Sequence, residues 1–177
     1  MTGDVVLDLG DGLTLAPRDE STVEAMHELT MRNLDRLRAW EHWAHGEQTR
    51  QGMAGYTRFL MGEVEAGRLL AFVMQLDGRT VGAISLRLDR YLGTAELGFW
   101  IDHEVEGRGL VTRAAAALID RARAEGMSRV ELRTGVANDR SRRVAERIGM
   151  HHEGTLRSAL PVGEARQDVA IYGLVLD

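Results

Sequence analysis

The chain has 177 residues, no cysteine and a net charge of −5. This length suits one domain over residues 1–177, which can bury roughly 70% of the surface that its unfolded chain exposes. The lack of cysteine excludes disulfides, thiolate metal sites and a cysteine nucleophile, and we expect a cytoplasmic protein. The acidic balance argues against binding to nucleic-acid phosphates. No apolar stretch approaches the roughly 20 residues that span a bilayer.

The first part of the sequence predicts one strand followed by two helices. Residues 13–16 alternate in polarity as a strand does. Ser21-Thr22-Val23-Glu24 matches the capping box that starts a helix, here running toward Asn33. Apolar residues then recur at helical spacing between residues 49 and 66, which predicts a second helix.

The middle of the sequence predicts an antiparallel meander. Two β-rich runs, residues 69–75 and 80–88, flank Asp77-Gly78, a dipeptide favoured in type I′ hairpin turns, and a third run follows at 94–101. The remaining elements are a helix over 110–125, a strand over 129–134, a helix over 140–148 and strands over 151–156 and 167–176. Together these elements predict an α/β (α+β) fold of about seven strands and four helices around a central mixed, largely antiparallel sheet.

A glycine-rich turn, Gly107-Arg108-Gly109, precedes the third predicted helix. Backbone N–H groups and the positive end of the helix dipole converge at such a turn, so an anion can bind there. Glycine also serves tight turns that hold no ligand, and the turn alone leaves both interpretations open. A dinucleotide site is the main rival: Glu131 could bind the ribose, but Thr112 stands where that motif has its third glycine. No Gly-Lys-Ser/Thr follows, which argues against a nucleoside triphosphate site.

The sequence resembles the GNAT superfamily of N-acetyltransferases, and within it the RimJ/RimL type that acetylates the N-termini of ribosomal proteins. Three segments carry the likeness in matching order and spacing: residues 95–101 (AELGFWI), 106–112 (EGRGLVT) and 138–150 (NDRSRRVAERIGM). A looser likeness covers nearly the whole chain. The resemblance implies a GNAT fold in which the strand at 94–101 splays from the strand at 129–134 and opens a cleft for coenzyme A.

The resemblance also implies acetyl-CoA as the co-substrate, with its pyrophosphate on the backbone N–H groups of the turn and its pantetheine arm along residues 99–101. Asn138 would bond the cofactor's amide chain. Arg143 belongs to a basic helix face, with Arg142 and Arg147, which either meets the adenosine phosphates or is only solvated. The residues expected to bind the cofactor are Phe99, Trp100, Ile101, Gly107, Arg108, Gly109, Leu110, Val111, Thr112, Asn138 and Arg143.

Two residues are expected to carry the acyl transfer. Glu96 shares a strand face with Trp100 under the period of two, and the resemblance makes it a candidate general base. Ser141 would donate a hydrogen bond to the departing thiolate, because the tyrosine that many relatives carry near this position is absent. The alternatives are an exposed strand residue for Glu96 and helix capping for Asn138 and Ser141.

Four further residues bear on the site. Trp40 and Trp43 lie where the family binds its acceptor, so they are candidate substrate contacts, with a core role as the alternative. Glu104 stands where the family often has Gln or Arg; an acid near phosphate is unfavourable unless it points to solvent. Arg113 replaces a family glutamate and could turn back to contact phosphate.

The acceptor is expected to be an amine that attacks the acyl group directly. An α-amine has a pKa of about 7.7–8.0 against about 10.4 for lysine, so a protein N-terminus is the easier nucleophile. No Gly-x-Ser-x-Gly elbow offers a covalent carrier. A larger acyl group such as succinyl, a small-molecule amine, or a non-catalytic acyl-CoA-binding regulator are the alternatives. We expect no metal and no nucleic-acid or membrane partner, and the resemblance implies a homodimer or higher homo-oligomer.

Overall fold

The computed structural model describes residues 5–176. Over this range the chain forms one eight-stranded sheet and four α-helices. The strands are β1 (Leu7–Asp8), β2 (Leu13–Pro17), β3 (Leu69–Leu76), β4 (Arg79–Asp89), β5 (Thr94–Ile101), β6 (Arg129–Gly135), β7 (His151–Val162) and β8 (Ala165–Val175). The helices are α1 (Val23–Leu37), α2 (Arg50–Glu65), α3 (Leu110–Ala124) and α4 (Asp139–Arg147).

The sheet has the strand order β1-β2-β3-β4-β5-β6-β8-β7, and the β5–β6 pair is parallel while the other neighbours are antiparallel. The predicted mixed, largely antiparallel class is confirmed. The predicted hairpin is also confirmed, because Asp77 and Gly78 have φ of 50° and 79°, as a type I′ turn requires.

Three sequence predictions needed correction. The eighth strand, β1, was missed because two residues are too few to show a period. Strand β7 continues to Val162, past an irregularity where Ser158 has a φ of 54°. The capping box was wrong: Thr22 makes no side-chain cap bond, and Asp19 caps the short 3₁₀ turn before α1 by accepting from the Ser21 N–H at 2.9 Å.

The core lies between the sheet and α3. The helix buries an apolar face made of Leu110, Val111, Ala114, Ala115, Leu118, Ile119 and Ala122. Alternate residues of β2 to β6 meet it, among them Leu15, Ile84 and Leu97. Helices α1 and α2 cover other parts of β3 and β4, where Met26 and Leu29 pack with Val73. Each fully buried leucine contributes about 1.5–3 kcal/mol.

The sheet opens in its centre, between β5 and β6. Their pairing runs from Thr94 opposite Arg129 to Leu97 opposite Leu132 and stops there, although β5 continues to Ile101 and β6 to Gly135. The outer halves of the two strands have therefore parted, as the resemblance implied. The carboxyl end of β5 is paired with β4 on its other side only.

Candidate active site

A cavity of about 550 Å³, here the first cavity, lies where β5 and β6 part. Its walls come from the end of α1, the splayed half of β5, the turn before α3 and the start of α4. All eleven residues expected to bind the cofactor line it: Phe99, Trp100, Ile101, Gly107, Arg108, Gly109, Leu110, Val111, Thr112, Asn138 and Arg143. Residues up to 44 positions apart in the sequence, Phe99 and Arg143, thus meet at one opening.

The turn that leads into α3 is built for an anion. Gly107 and Gly109 have φ of 76° and 72°, a region that side-chain-bearing residues avoid. No side chain caps α3, so its first N–H groups are available to a ligand at the positive end of the helix dipole. A Cβ added at either glycine would meet no atom within 4 Å, so the glycines border open space. These features fit a pyrophosphate held by backbone donors.

The first cavity is rich in cations. The arginines that line it are Arg36, Arg108, Arg140, Arg143 and Arg147. Three of them lie on one face of α4 because helical residues three and four apart are neighbours. Glu106 forms ion pairs with Arg36 and Arg140, so it links the end of α1 to α4 across the turn. The positive charge of the other lining arginines, Arg108, Arg143 and Arg147, fits a polyphosphate.

Asn138 and Ser141 meet at the start of α4. The Asn138 Oδ1 accepts from the Ser141 N–H at 3.2 Å, which makes Asn138 the N-cap of the helix. Both residues also line the first cavity, so capping and ligand contact are compatible. The cap holds the Ser141 backbone on a wall shared with Phe99 and Ile101.

A second cavity, of about 490 Å³, lies on the side of the sheet that α1 and α2 cover. Its floor is a row of small residues on adjacent strands, Ala71, Ser85 and Gly98, which are register partners. Its walls are largely apolar and come from α1, α2 and the segment between them. The two cavities share Glu41, Phe99 and Trp100, so they meet at the splayed end of β5.

Glu41 was not singled out by the sequence, yet it lies at this junction. Burial raises the pKa of its carboxyl, against the opposing effect of a hydrogen bond from Trp43 Nε1 to Oε2 at 2.9 Å. A carboxylate with a raised pKa in a cleft is a candidate for proton transfer. A signal was present in the sequence, since Glu41 stands between Trp40 and Trp43, the two aromatic residues assigned to the acceptor.

Asp102, directly after β5, holds this corner together. Its carboxylate is fully buried and accepts from Asn33 Nδ2 at 3.1 Å and Arg32 Nη2 at 3.2 Å. Burial alone would raise the pKa of Asp102, but these hydrogen bonds and one from the Glu104 N–H outweigh it and keep the pKa below its ordinary value. Asp102 therefore anchors α1 to the strand that separates the two cavities.

The other predicted site residues are divided between the cavities. Trp40 is half-buried and lines the first cavity, and Trp43 lines the second with 42% of its surface exposed. Their role as substrate contacts stays a prediction. Glu96 lines neither cavity. It is an exposed residue in the paired half of β5, opposite Arg87 on β4 and Glu131 on β6. Its role as general base stays a prediction, and its location does not favour that role.

Several side chains near the turn point elsewhere. Arg113 donates to the carbonyls of Leu9 and Gly10 at 2.6 and 2.7 Å, so it braces the β1–β2 turn and the expected phosphate contact is wrong. Arg142 donates to Tyr172 Oη at 3.0 Å, so of the three arginines in the predicted basic face only Arg143 and Arg147 line the cavity. Glu104 forms an ion pair with Arg79 at 3.0 Å, and this pair neutralises the Glu104 carboxylate. Glu104 does not line the first cavity.

The structure also argues against the dinucleotide alternative, in which Glu131 would bind the ribose. Glu131 is engaged by Arg129 at 3.0 Å and by Arg133 at 3.4 Å, along β6 itself. No group of three or more metal-ligating side chains occurs within residues 5–176. Across the same range, the helices are too short or too polar to cross a membrane.

Comparison with known proteins agrees with this geometry. The profile of the acetyltransferase (GNAT) domain matches residues 13–151. YdaF of Bacillus subtilis, provisionally named a ribosomal N-acetyltransferase, is 35% identical over 170 residues that cover 91% of this chain and 88% of that protein. The ribosomal-protein-serine acetyltransferase of Escherichia coli is 27% identical over 175 residues, or 96% of each chain.

A solved structure shares the fold. RimL, an α-N-protein acetyltransferase of a ribosomal protein, in complex with coenzyme A, superposes with a TM-score of 0.94 at 22% identity, over 98% of this chain and 99% of that one. The profile match includes the meander, the glycine-rich turn before α3, and helix α4. These elements contribute walls of the first cavity. The chain belongs to the acetyltransferase (GNAT) family and is an N-acetyltransferase.

Proposed function

We propose that this enzyme transfers the acetyl group of acetyl-CoA to the α-amine of a protein N-terminus of the ribosomal-protein type, by direct attack in a ternary complex. The junction of the two cavities at Glu41, Phe99 and Trp100 carries the proposal. One cavity fits a polyphosphate-bearing donor, and the other, whose walls are largely apolar, has room for an acceptor chain. The name of the Escherichia coli relative supports this class of acceptor.

The donor would lie in the first cavity. Backbone N–H groups at Gly109, Leu110 and Val111 would hold its pyrophosphate, with Arg143 and Arg147 close by. The unpaired edge of residues 99–101 would bond the extended pantetheine arm as a neighbouring strand does. When bound, acetyl-CoA supplies an activated thioester. Positioning two bound reactants can contribute about 7–11 kcal/mol, so placement is the main source of rate.

Proton transfers need two groups of this chain. Glu41, at the junction, would accept a proton from the attacking amine directly or through water, and Ser141 would donate a hydrogen bond toward the departing sulfur. At pH 7 roughly a tenth of an α-amine is already neutral, a cost of about 1.4 kcal/mol, so the base has a modest task. Glu96, predicted as base from the sequence, is the rival for this role.

The test offers the enzyme a series of amine acceptors and measures turnover as the release of free thiol from the acyl-CoA. A peptide with a free N-terminal serine should turn over with acetyl-CoA, and the same peptide blocked at its α-amine should not. A blocked peptide carrying a free lysine, and a polyamine, test the alternatives, and succinyl-CoA tests a larger acyl group. Turnover of the polyamine alone would replace the proposed acceptor with a small molecule. The protein is proposed to work in the cytoplasm as a homodimer or higher homo-oligomer.

A further inference from the structure

One buried cation in the second cavity has no counter-charge. Arg18 follows β2, is 6% exposed and lines this cavity. The guanidinium donates through Nε and Nη2 to Thr57 Oγ1, at 3.3 and 3.1 Å, and through Nη2 to Met53 Sδ at 2.9 Å. All these acceptors are neutral, and within residues 5–176 Arg18 forms no ion pair. A buried charge without a partner is costly, and an anionic ligand in the cavity would offset that cost.

A second polar group in the same cavity also lacks a partner. Thr30, on α1, is fully buried and lines the cavity, and its Oγ1 makes no hydrogen bond. Buried polar atoms are nearly always hydrogen-bonded in folded proteins. Arg18 and Thr30 therefore both have unused hydrogen-bonding capacity and both line one cavity whose walls are largely apolar.

From these two residues we infer that the second cavity binds an acceptor that carries a carboxylate as well as an amine, with the carboxylate on Arg18 and a further hydrogen bond from Thr30. This inference rests on the proposed function, because it assigns the acceptor to the second cavity. The charges of Glu41 and Arg18 agree with an acceptor that carries both an amine and a carboxylate. Glu41, at the junction with the first cavity, suits the amine, while Arg18 suits the anion at the α2 side.

The sheet sets the separation of the two ends. Arg18 donates its N–H to the Ala71 carbonyl, Ala71 is opposite Ser85, and Ser85 is opposite Gly98. Three strand spacings of about 4.8 Å put the Cα of Arg18 ~14 Å from that of Gly98 on β5. This separation favours an acceptor whose amine and carboxylate are several bonds apart, farther than in a free α-amino acid. An acidic side chain following the N-terminal residue of a peptide, or a long ω-amino acid, fits this spacing.

The experiment compares matched acidic and neutral acceptors. The peptides Ser-Ala-Asp-Ala and Ser-Ala-Asn-Ala, both amidated at the C-terminus, differ only in the charge. The pair 6-aminohexanoate and 6-aminohexanamide offers the same charge difference on a small molecule and so distinguishes the two sources of the carboxylate. Wild-type enzyme should favour one acidic acceptor by roughly 10- to 100-fold in kcat/KM, mainly through KM.

Variants assign this preference to the cavity. Arg18→Met should bring the acidic-to-neutral ratio to about one, and Arg18→Lys should recover part of it. Thr30→Val, which keeps the side-chain shape, should lower the ratio about threefold. Arg58→Met is the matched control: Arg58 lies on α2 with 59% of its side chain exposed, outside the cavity walls, and its loss should leave the ratio unchanged.

Binding separates this inference from the proposed function. Titration calorimetry of the same acceptors into the CoA-loaded enzyme reports the anion site even where no acceptor is acetylated. Tighter binding of an acidic acceptor, lost in Arg18→Met, supports the anion site whether or not turnover follows. Equal binding and turnover of the acidic and neutral members of both pairs would overturn it. Acetylation of the peptides without any acid preference would leave the proposed function standing and remove the anion site.

Discussion

The two cavities meet at the same three residues but are built differently. The first owes its shape to backbone: two left-handed glycines, an uncapped helix start and a strand edge that has lost its neighbour. The second owes its chemistry to side chains from separate elements, Arg18 after β2, Thr30 on α1 and Glu41 before α2. We therefore expect the first cavity to tolerate side-chain changes and the second to be sensitive to them.

The largest expected effect is at the junction. Glu41→Gln should lower kcat/KM about 100-fold if Glu41 is the base, whereas Glu96→Gln should change it less than threefold. A large loss in Glu96→Gln with none in Glu41→Gln would return the role to Glu96 and remove the junction from the chemistry.

The pH profile checks the same assignment. Below the pKa of the amine, log kcat/KM should rise with a slope of one. Below the raised pKa of Glu41 the carboxyl is protonated too, so the wild-type slope should steepen to two. Glu41→Gln removes this second titration, and its slope should stay at one down to the limit of folding. An identical profile in both enzymes would contradict the assignment.

The next effect concerns the wall that both cavities share. Asp102→Asn should destabilise the protein by about 2 kcal/mol, because it removes a buried carboxylate that accepts from Arg32 and Asn33. For this chain length the melting temperature should fall by roughly 4–8 °C. Since the folded-state pKa of Asp102 is depressed, the difference should be full above about pH 4 and vanish as pH falls through the folded pKa. A difference independent of pH would rule out the charge as the cause.

A glycine pair tests how far the first cavity depends on backbone. Gly109 and Gly126 have φ of 72° and 75°, and an added Cβ would meet nothing within 4 Å at either. Alanine at each position should therefore cost a similar 1–2 kcal/mol of stability, about the cost of a left-handed alanine. Only Gly109→Ala should raise the KM for acetyl-CoA, by about tenfold. An equal rise in Gly126→Ala would attribute the effect to stability.

The smallest effect is expected from a side chain of the first cavity. Arg147→Gln should raise the KM for acetyl-CoA about threefold at low salt and less at high salt, because exposed charges are screened. Exposed Arg123 on α3, which pairs with Asp120, offers the control Arg123→Gln. A loss of 30-fold or more in Arg147→Gln would break the comparison, since the first cavity would then depend on side chains too.

The same contrast explains what the sequence could predict. The first cavity draws on contiguous motifs at residues 106–112 and 138–150, so local patterns and a resemblance identified the part of its lining that these motifs supply. Arg18 and Thr30 carry no local signal, because Arg18 only follows the proline that ends β2 and Thr30 occupies an ordinary position in α1. The two residues come together in the second cavity only when α1 and α2 pack over β3 and β4. The prediction that Arg113 contacts phosphate was wrong for the same reason, because its hydrogen-bond partners, Leu9 and Gly10, are over 100 residues away in the sequence.

The parting of β5 and β6 after Leu97 leaves a strand edge inside a sheet. Edges normally lie at the outside, where they invite strands of other chains and risk aggregation. Here β4 lies on one side and β6 diverges on the other, so a protein strand with bulky side chains on both faces has little room. A slender, extended molecule with amide groups can occupy the gap. In the proposed complex, a strand edge that other folds must shield would act as a filter for the shape of the ligand.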